Sequence, residues 1–321
     1  MLRRALIAAI AFMPMTKGLH AQPFPNRTIT VVVAGAAGGP SDTIARITAE
    51  AMGRHLNSTV VVEAIGGSTV GPQRVSQARP DGYTLLVNNI GMSTQPTLYR
   101  RLPYDPLTAF APLGLVSDAA MTLVTRPDFP AQDMRAAMAT LTARGDALNF
   151  AAAGLGSAAN LCALLVQSAA GAQATMVNFR GTAPAIAELM AGRVDMLCDQ
   201  ATNTVNFIRE GRVRALSVSS PARLAGLPAI PTTAETGFPS IVMSTWHGLY
   251  APAGTPEPIQ ERLSAALRAA LADPALRRRF ADLLTDPATE ERASIAFHRR
   301  FLAEEVARWR PIILAAGAFA D

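Results

Sequence analysis

The sequence predicts an α/β fold in two similar parts, each a mixed or parallel sheet flanked by helices. A β-branched run at 29–33 (ITVVV) passes through Gly35, Gly38 and Gly39 into a helical spacing of Ile44, Ile47 and Ala51. Strand-like and helix-like segments then alternate as far as Val87, the pattern that a sheet with covering helices produces. The same plan of strand, glycine turn and helix recurs at 148–170, about one domain further along the chain.

Taken in order, residues 1–21 read as a secretory signal. Arg3 and Arg4 precede an apolar run at 5–15, with a cut expected after Ala21. The run is shorter than the roughly 20 residues that a membrane span needs. Its removal leaves about 300 residues, roughly two domains, and lowers the net charge from +5 to about +2. Scattered Arg and few aromatics give no stacking platform for nucleic acid.

The run at 29–33 is short and continuously apolar, as in a strand buried on both faces. Further strands are expected at 59–63 and 83–87, the latter announced by Pro80-Asp81-Gly82, with a short helix at 72–78 between them. The third strand ends at Asn88 and Asn89, with Ser93, Thr94 and Gln95 just beyond, where parallel sheets present ligand loops. Two separate strands follow at 113–116 and 121–125.

In the second part a helix at 134–143 precedes a strand at 148–152 and a helix at 158–170. Strands at 174–178, 194–198 and 215–219 alternate with helices that start near Thr182 and at 203. A strand at 241–250 returns the chain to the first part, and helices at 256–271, 276–284 and 294–314 complete it. Leu263, Leu267 and Leu271 stripe one face of the first of these helices. The expected organisation is a first lobe at 22–123, a second at 124–244, and a return to the first at 245–321.

The candidate site residues follow from the two glycine turns. A helix N-terminus leaves backbone N–H groups unpaired and carries the positive end of the helix dipole, so it suits an anion. Ala37, Gly38, Gly39, Pro40 and Ser41 form one cradle, and Gly156, Ser157, Ala158 and Asn160 form the other, with Ser41 and Ser157 read as equivalent. Asp42 either complements its own helix dipole or faces the cleft. Asn88 and Asn89 offer polar groups at a strand end, and Arg180 beside Gly181 offers a two-pronged carboxylate clamp. Asp199 ends a strand toward the same gap, and Trp246 is a wall or hinge candidate. Neither a G-x-G-x-x-G fingerprint nor a P-loop is present, so a small anion is favoured over a nucleotide. No metal motif or cofactor is implied. Cys162 and Cys198 fit either a disulfide or two buried thiols.

A hydrolase acting on carboxylate esters or amides is the alternative. It would need Ser157, His247 and Asp199 as a triad, although the turn lacks the G-x-S-x-G elbow. His55 and His298 fall on helices expected to face outward.

Six segments carry a resemblance: 36–46 (AAGGPSDTIAR), 80–86 (PDGYTLL), 98–99 with 102–106 (LY, LPYDP), 154–157 (GLGS), 181–184 with 192–195 (GTAP, GRVD) and 246–256 (WHGLYAPAGTP). In this order they resemble the Bug family, extracytoplasmic solute-binding receptors of tripartite tricarboxylate transporters. The resemblance implies two α/β lobes that enclose a small carboxylate between them; the expected architecture is of the periplasmic-binding-protein type II kind, and the expected state a monomer. The resemblance also implies delivery of that ligand to separate membrane permease subunits. Three departures lie on ligand-side loops: Asn160 replaces the usual His, Phe179 replaces a Tyr, and the glycine loop after Glu63 is short.

Overall fold

The computed structural model describes residues 24–317 and 319, so the expected signal at 1–21 lies outside the described residues. The chain forms β1 (Ile29–Ala34), α1 (Pro40–Leu56), β2 (Val60–Ile65), α2 (Val70–Ser76), β3 (Thr84–Asn89), α3 (Gly91–Leu98) and β4 (Phe110–Thr125). Next come α4 (Met134–Arg144), β5 (Asn149–Ala152), α5 (Ala158–Ala170), β6 (Thr175–Asn178), α6 (Thr182–Met190), β7 (Met196–Gln200), α7 (Ala201–Arg209) and β8 (Arg214–Val218). The chain closes with β9 (Ser244–Pro252), α8 (Glu257–Ala272), α9 (Pro274–Asp282), β10 (Thr285–Pro287) and α10 (Ile295–Ala316). Among the described residues no helix is long and apolar enough to cross a membrane.

The strands join in the order β2-β1-β3-β9-β4-β7-β5-β6, with β8 and β10 also paired to β4. The pairs β1–β2, β1–β3, β5–β6 and β5–β7 are parallel, as the crossover helices require. Val31, Val32 and Val33 are buried, which accounts for the β-branched run at the centre of the first parallel group. The antiparallel strands β4 and β9 link the two parallel groups.

The two strands expected at 113–116 and 121–125 are one 16-residue strand, β4. Its first part pairs with β9 and β10, and its last five residues with β7 and β8. Ser117 and Asp118 look like a break in the sequence, but each finds a distant partner: the Ser117 hydroxyl meets His247 and Asp118 pairs with Arg292. The polar stretch after β3 likewise folds as a helix, α3. Gln95 is buried there because it donates to the Ser68 carbonyl and accepts from the Tyr104 hydroxyl.

α10 packs on α3 and β4, burying Leu302, Trp309 and Ile313. His298 also lies on this inner face, contrary to its expected outward position. Its ring sits 4.6 Å from that of Tyr250, and Nδ1 accepts the Gly114 N–H at 3.1 Å. Burial pushes its pKa down to about 3, so it is a neutral core side chain. Ser294 caps this helix by accepting the Phe297 N–H at 3.2 Å. Ser294→Ala is expected to cost about 1 kcal/mol in denaturant unfolding and to leave ligand affinity unchanged.

Candidate ligand-binding cleft

The turn after β1 places Gly38 at a φ of 76°, a left-handed conformation that glycine adopts without a Cβ penalty. Gly39 is the N-cap of α1 and Pro40 its first helical residue, a position at which the missing N–H costs nothing. The Gly38 N–H is taken by Asp42 Oδ2 at 2.9 Å, and the same oxygen accepts from Arg46 Nε at 3.0 Å. Asp42 therefore ties down its own turn. Helix geometry leaves the Ser41 N–H as a donor without an intrahelical acceptor.

The second turn repeats this construction. Gly156 has a φ of 72°, Ser157 is the N-cap of α5, and Ser157 Oγ accepts the Asn160 N–H at 3.2 Å. Asn160 Oδ1 takes the Gly156 N–H at 3.1 Å, as Asp42 does for Gly38. The equivalent positions are thus Gly39 with Ser157 and Asp42 with Asn160. The equivalence of Ser41 with Ser157 is corrected: Ser157 caps its helix, whereas Ser41 lies inside the first turn of its own.

Both turns open on one cleft of about 510 Å³. Of the sequence candidates, Gly39, Pro40, Ser41, Asn88, Asn89, Gly156, Ser157, Ala158, Arg180, Gly181 and Asp199 line it. Ala37, Gly38, Asp42, Asn160 and Trp246 do not. Gly38, Asp42 and Asn160 hold the turns together from behind. Trp246 is buried and donates from Nε1 to Glu305 at 3.1 Å, in a separate crevice with Asp118 and Ser244. Its aromatic surface packs under α10, where Phe301 lies 5.4 Å away, ring to ring.

Sequence reasoning missed Ser68, Tyr99, Thr182 and Gln200 as lining residues, while Gln95, expected beside a ligand loop, does line the cleft. The Ser68 and Tyr99 hydroxyls are 2.6 Å apart. The glycine loop at 66–67 was the available signal for that wall. Asn88 Nδ2 and Gln200 Oε1 are buried without hydrogen-bond partners, leaving one donor and one acceptor on residues that line the cleft.

Arg180 is exposed at the cleft and has no ion-pair or hydrogen-bond partner among the described residues. Asp199 is its buried counterpart. Desolvation pushes the carboxyl from 3.8 up to about 7, against the opposing pull of hydrogen bonds from the Gln200 backbone, Asn203 and Thr182. A disulfide between Cys162 and Cys198 joins α5 to β7, fixing the strand that carries Asp199 against the helix capped by Ser157. Among the described residues no group of three or more His, Cys, Asp or Glu is placed to hold a metal ion.

The triad of the hydrolase alternative is not assembled. His247 Nε2 lies 3.1 Å from Ser41 Oγ, while the Ser157 hydroxyl serves the Asn160 backbone. The Ser41–His247 pair is itself a poor nucleophile and base. Burial pushes His247 down to about 3, far below the range useful for proton abstraction near neutrality, and Ser117 stands behind Nδ1 where a carboxylate would be needed.

A mixed sheet flanked by helices, with two helix N-termini opening on a shared cleft, is an arrangement that suits a periplasmic solute-binding protein. The chain superposes on the periplasmic binding protein BugD with a TM-score of 0.89 and 38% identity, covering 93% of this chain and 100% of that one. MatC from Rhodopseudomonas palustris with bound malate gives a TM-score of 0.87 and 36% identity, covering 90% and 100%. A protein of Agrobacterium vitis, the UPF0065 protein in the TAR-I ttuE-ttuC' intergenic region, is 40% identical over 296 residues, 92% of this chain and 86% of its own. Residues 44–318 match the Tripartite tricarboxylate transporter family receptor, and the chain belongs to that family. It is a solute-binding receptor, and the hydrolase alternative finds no support in these relatives.

Proposed function

We propose that this receptor captures a small carboxylate between two lobes, 22–123 with 245–321 and 124–244, and hands it to the permease subunits of a tripartite transporter. It acts as an exported monomer, carried to the periplasm by the signal at 1–21, and it binds its ligand without transforming it. The observation that carries this reading is the convergence of the α1 and α5 N-termini and the unpaired Arg180 on one cleft. Oriented N–H groups and a guanidinium supply donors to a carboxylate at little reorganisation cost. The antiparallel strands β4 and β9 connect the two parts and are placed to serve as the hinge. The malate bound to MatC is a dicarboxylate, which makes malate the natural first probe here.

A thermal-shift screen of the mature protein against malate, succinate, glutarate, benzoate and their amides tests the proposal. At least one acid should raise the melting temperature where its amide does not, following the stabilisation that binding gives. Arg180→Ala should weaken that acid about tenfold, the lower range for a charge-assisted contact at an exposed site. Product release from carboxylate esters, or a response to amides equal to that of acids, would overturn the reading.

A further inference from the structure

Behind the cleft lies a buried hydrogen-bonded chain. Ser41 Oγ meets His247 Nε2 at 3.1 Å, His247 Nδ1 meets Ser117 Oγ at 3.1 Å, and Asn89 Nδ2 reaches Ser41 Oγ at 3.3 Å. His247 and Ser117 are fully buried, and only Ser41 and Asn89 line the cleft. The direction of the chain follows from counting protons.

Asn89 is oriented by its own loop. Its Oδ1 accepts the Gly91 N–H at 3.0 Å, so the group facing Ser41 is the amide NH2, a donor. One lone pair of Ser41 is thereby used. A neutral imidazole carries its single proton on either Nδ1 or Nε2. With the proton on Nδ1, the ring donates to Ser117, and the Ser117 hydroxyl hydrogen has no acceptor among the described residues. With the proton on Nε2, Ser117 donates to Nδ1 and the ring donates to Ser41. The first arrangement strands a buried donor, which costs more than an unfilled lone pair; the second strands none.

We infer that His247 is held as the Nε2–H tautomer, and that together with Asn89 it fills both Ser41 lone pairs. The Ser41 hydroxyl is then an obligate donor into the cleft. His247 is a positioning residue: without touching the ligand, it selects a hydrogen-bond acceptor such as a carboxylate oxygen over an ammonium or amide N–H at this point. A ligand donor at Ser41 would require the whole chain to reverse, orphaning the Ser117 hydrogen. The inference rests on the carboxylate reading above and adds to it the group that reads the anion.

Two measurements test it. In 15N-labelled protein, long-range 1H–15N correlation separates the tautomers, and His247→Gln identifies the His247 signals by their loss. A protonated Nε2 with a bare Nδ1 is expected, and a protonated Nδ1 overturns the proposal. Calorimetric titration with malate forms the second arm. His247→Leu removes the donor and should weaken binding at least tenfold, whereas His247→Gln, whose amide N–H reaches the same oxygen, should stay within about threefold of the parent protein. Equal affinity of the Leu variant and the parent overturns the positioning role. If the parent protein binds no carboxylate, the proposed function fails, while the tautomer measurement still decides the direction of the chain.

Discussion

Replacing Asp199 by Asn is expected to stabilise the protein, with a gain that is small near pH 4 and reaches on the order of 2–4 kcal/mol by pH 8. Burial raises the folded carboxyl from 3.8 to about 7. Between those two values the folded chain holds a proton that the unfolded chain has already lost. Stability therefore falls as pH rises through that window and levels off above it. Asn keeps the shape and accepts from Asn203, which donates to Asp199 Oδ2 at 3.0 Å, without the cost of a buried charge. Ligand binding should follow the same titration. A protonated Asp199 is a neutral lining group, whereas an ionised one repels an anion across a half-enclosed space of low dielectric. Malate affinity should decline above about pH 7 in the parent protein and stay flat in Asp199→Asn, since His247 is already neutral there. Denaturant unfolding and calorimetry at pH 5, 7 and 8 read both effects. Affinity that rises with pH, or that is lost in the Asn variant, would mean that Asp199 accepts from a ligand hydroxyl or amine, and would reject this account.

The readable parts of the fold were those set by local pattern. The β-branched run, the glycines and the helical spacing after them place β1, its turn and α1, because strand period, positive φ and helix period each leave a mark within a few residues. The same marks located the second turn, and so both walls of the cleft. What the sequence hid depends on distant partners. The continuity of β4 rests on satisfying Ser117 and Asp118 through His247 and Arg292, far along the chain. His298 looked like a surface residue because its helix is charged nearby, yet it faces inward against Tyr250. The two-residue offset between Ser41 and Ser157 was invisible because serine suits both an N-cap and the first turn. Only the different hydrogen bonds, His247 to Ser41 and Asn160 to Ser157, tell the roles apart. The pairing of Cys162 with Cys198 was open for the same reason: it is a fact of packing, with α5 lying on β7.

Gly181→Ala should abolish most ligand binding while the protein remains folded. Gly181 caps α6 at a φ of 126°, and a Cβ built there would meet the Ala36 Cβ at 2.8 Å. Carbon atoms pack at roughly 3.5–4.0 Å, so the two turns must separate by about an ångström or the backbone must rotate. Ala36 belongs to the turn before α1 and Gly181 to the loop carrying Arg180, so the displaced contact is one that brings the two sides of the cleft together, beside the Thr94 hydroxyl on the Gly156 carbonyl. Separating them moves the donors on one side away from a ligand held by the other, and binding energy falls steeply with that misplacement. A loss of about 100-fold in malate affinity is expected, equivalent to about 2.7 kcal/mol. Backbone strain at positive φ would also lower stability, so affinity alone does not separate the two causes. The double variant Gly181→Ala with Ala36→Gly does. It removes the opposing Cβ, leaving nothing on Ala36 nearer than its backbone N at 3.9 Å, and should recover most of the affinity while keeping any strain. If the double variant binds as poorly as the single one, strain at Gly181 is the cause, and contact between the turns plays no part in holding the ligand. If the single variant binds like the parent, the bound state does not bring Ala36 and Gly181 together at all.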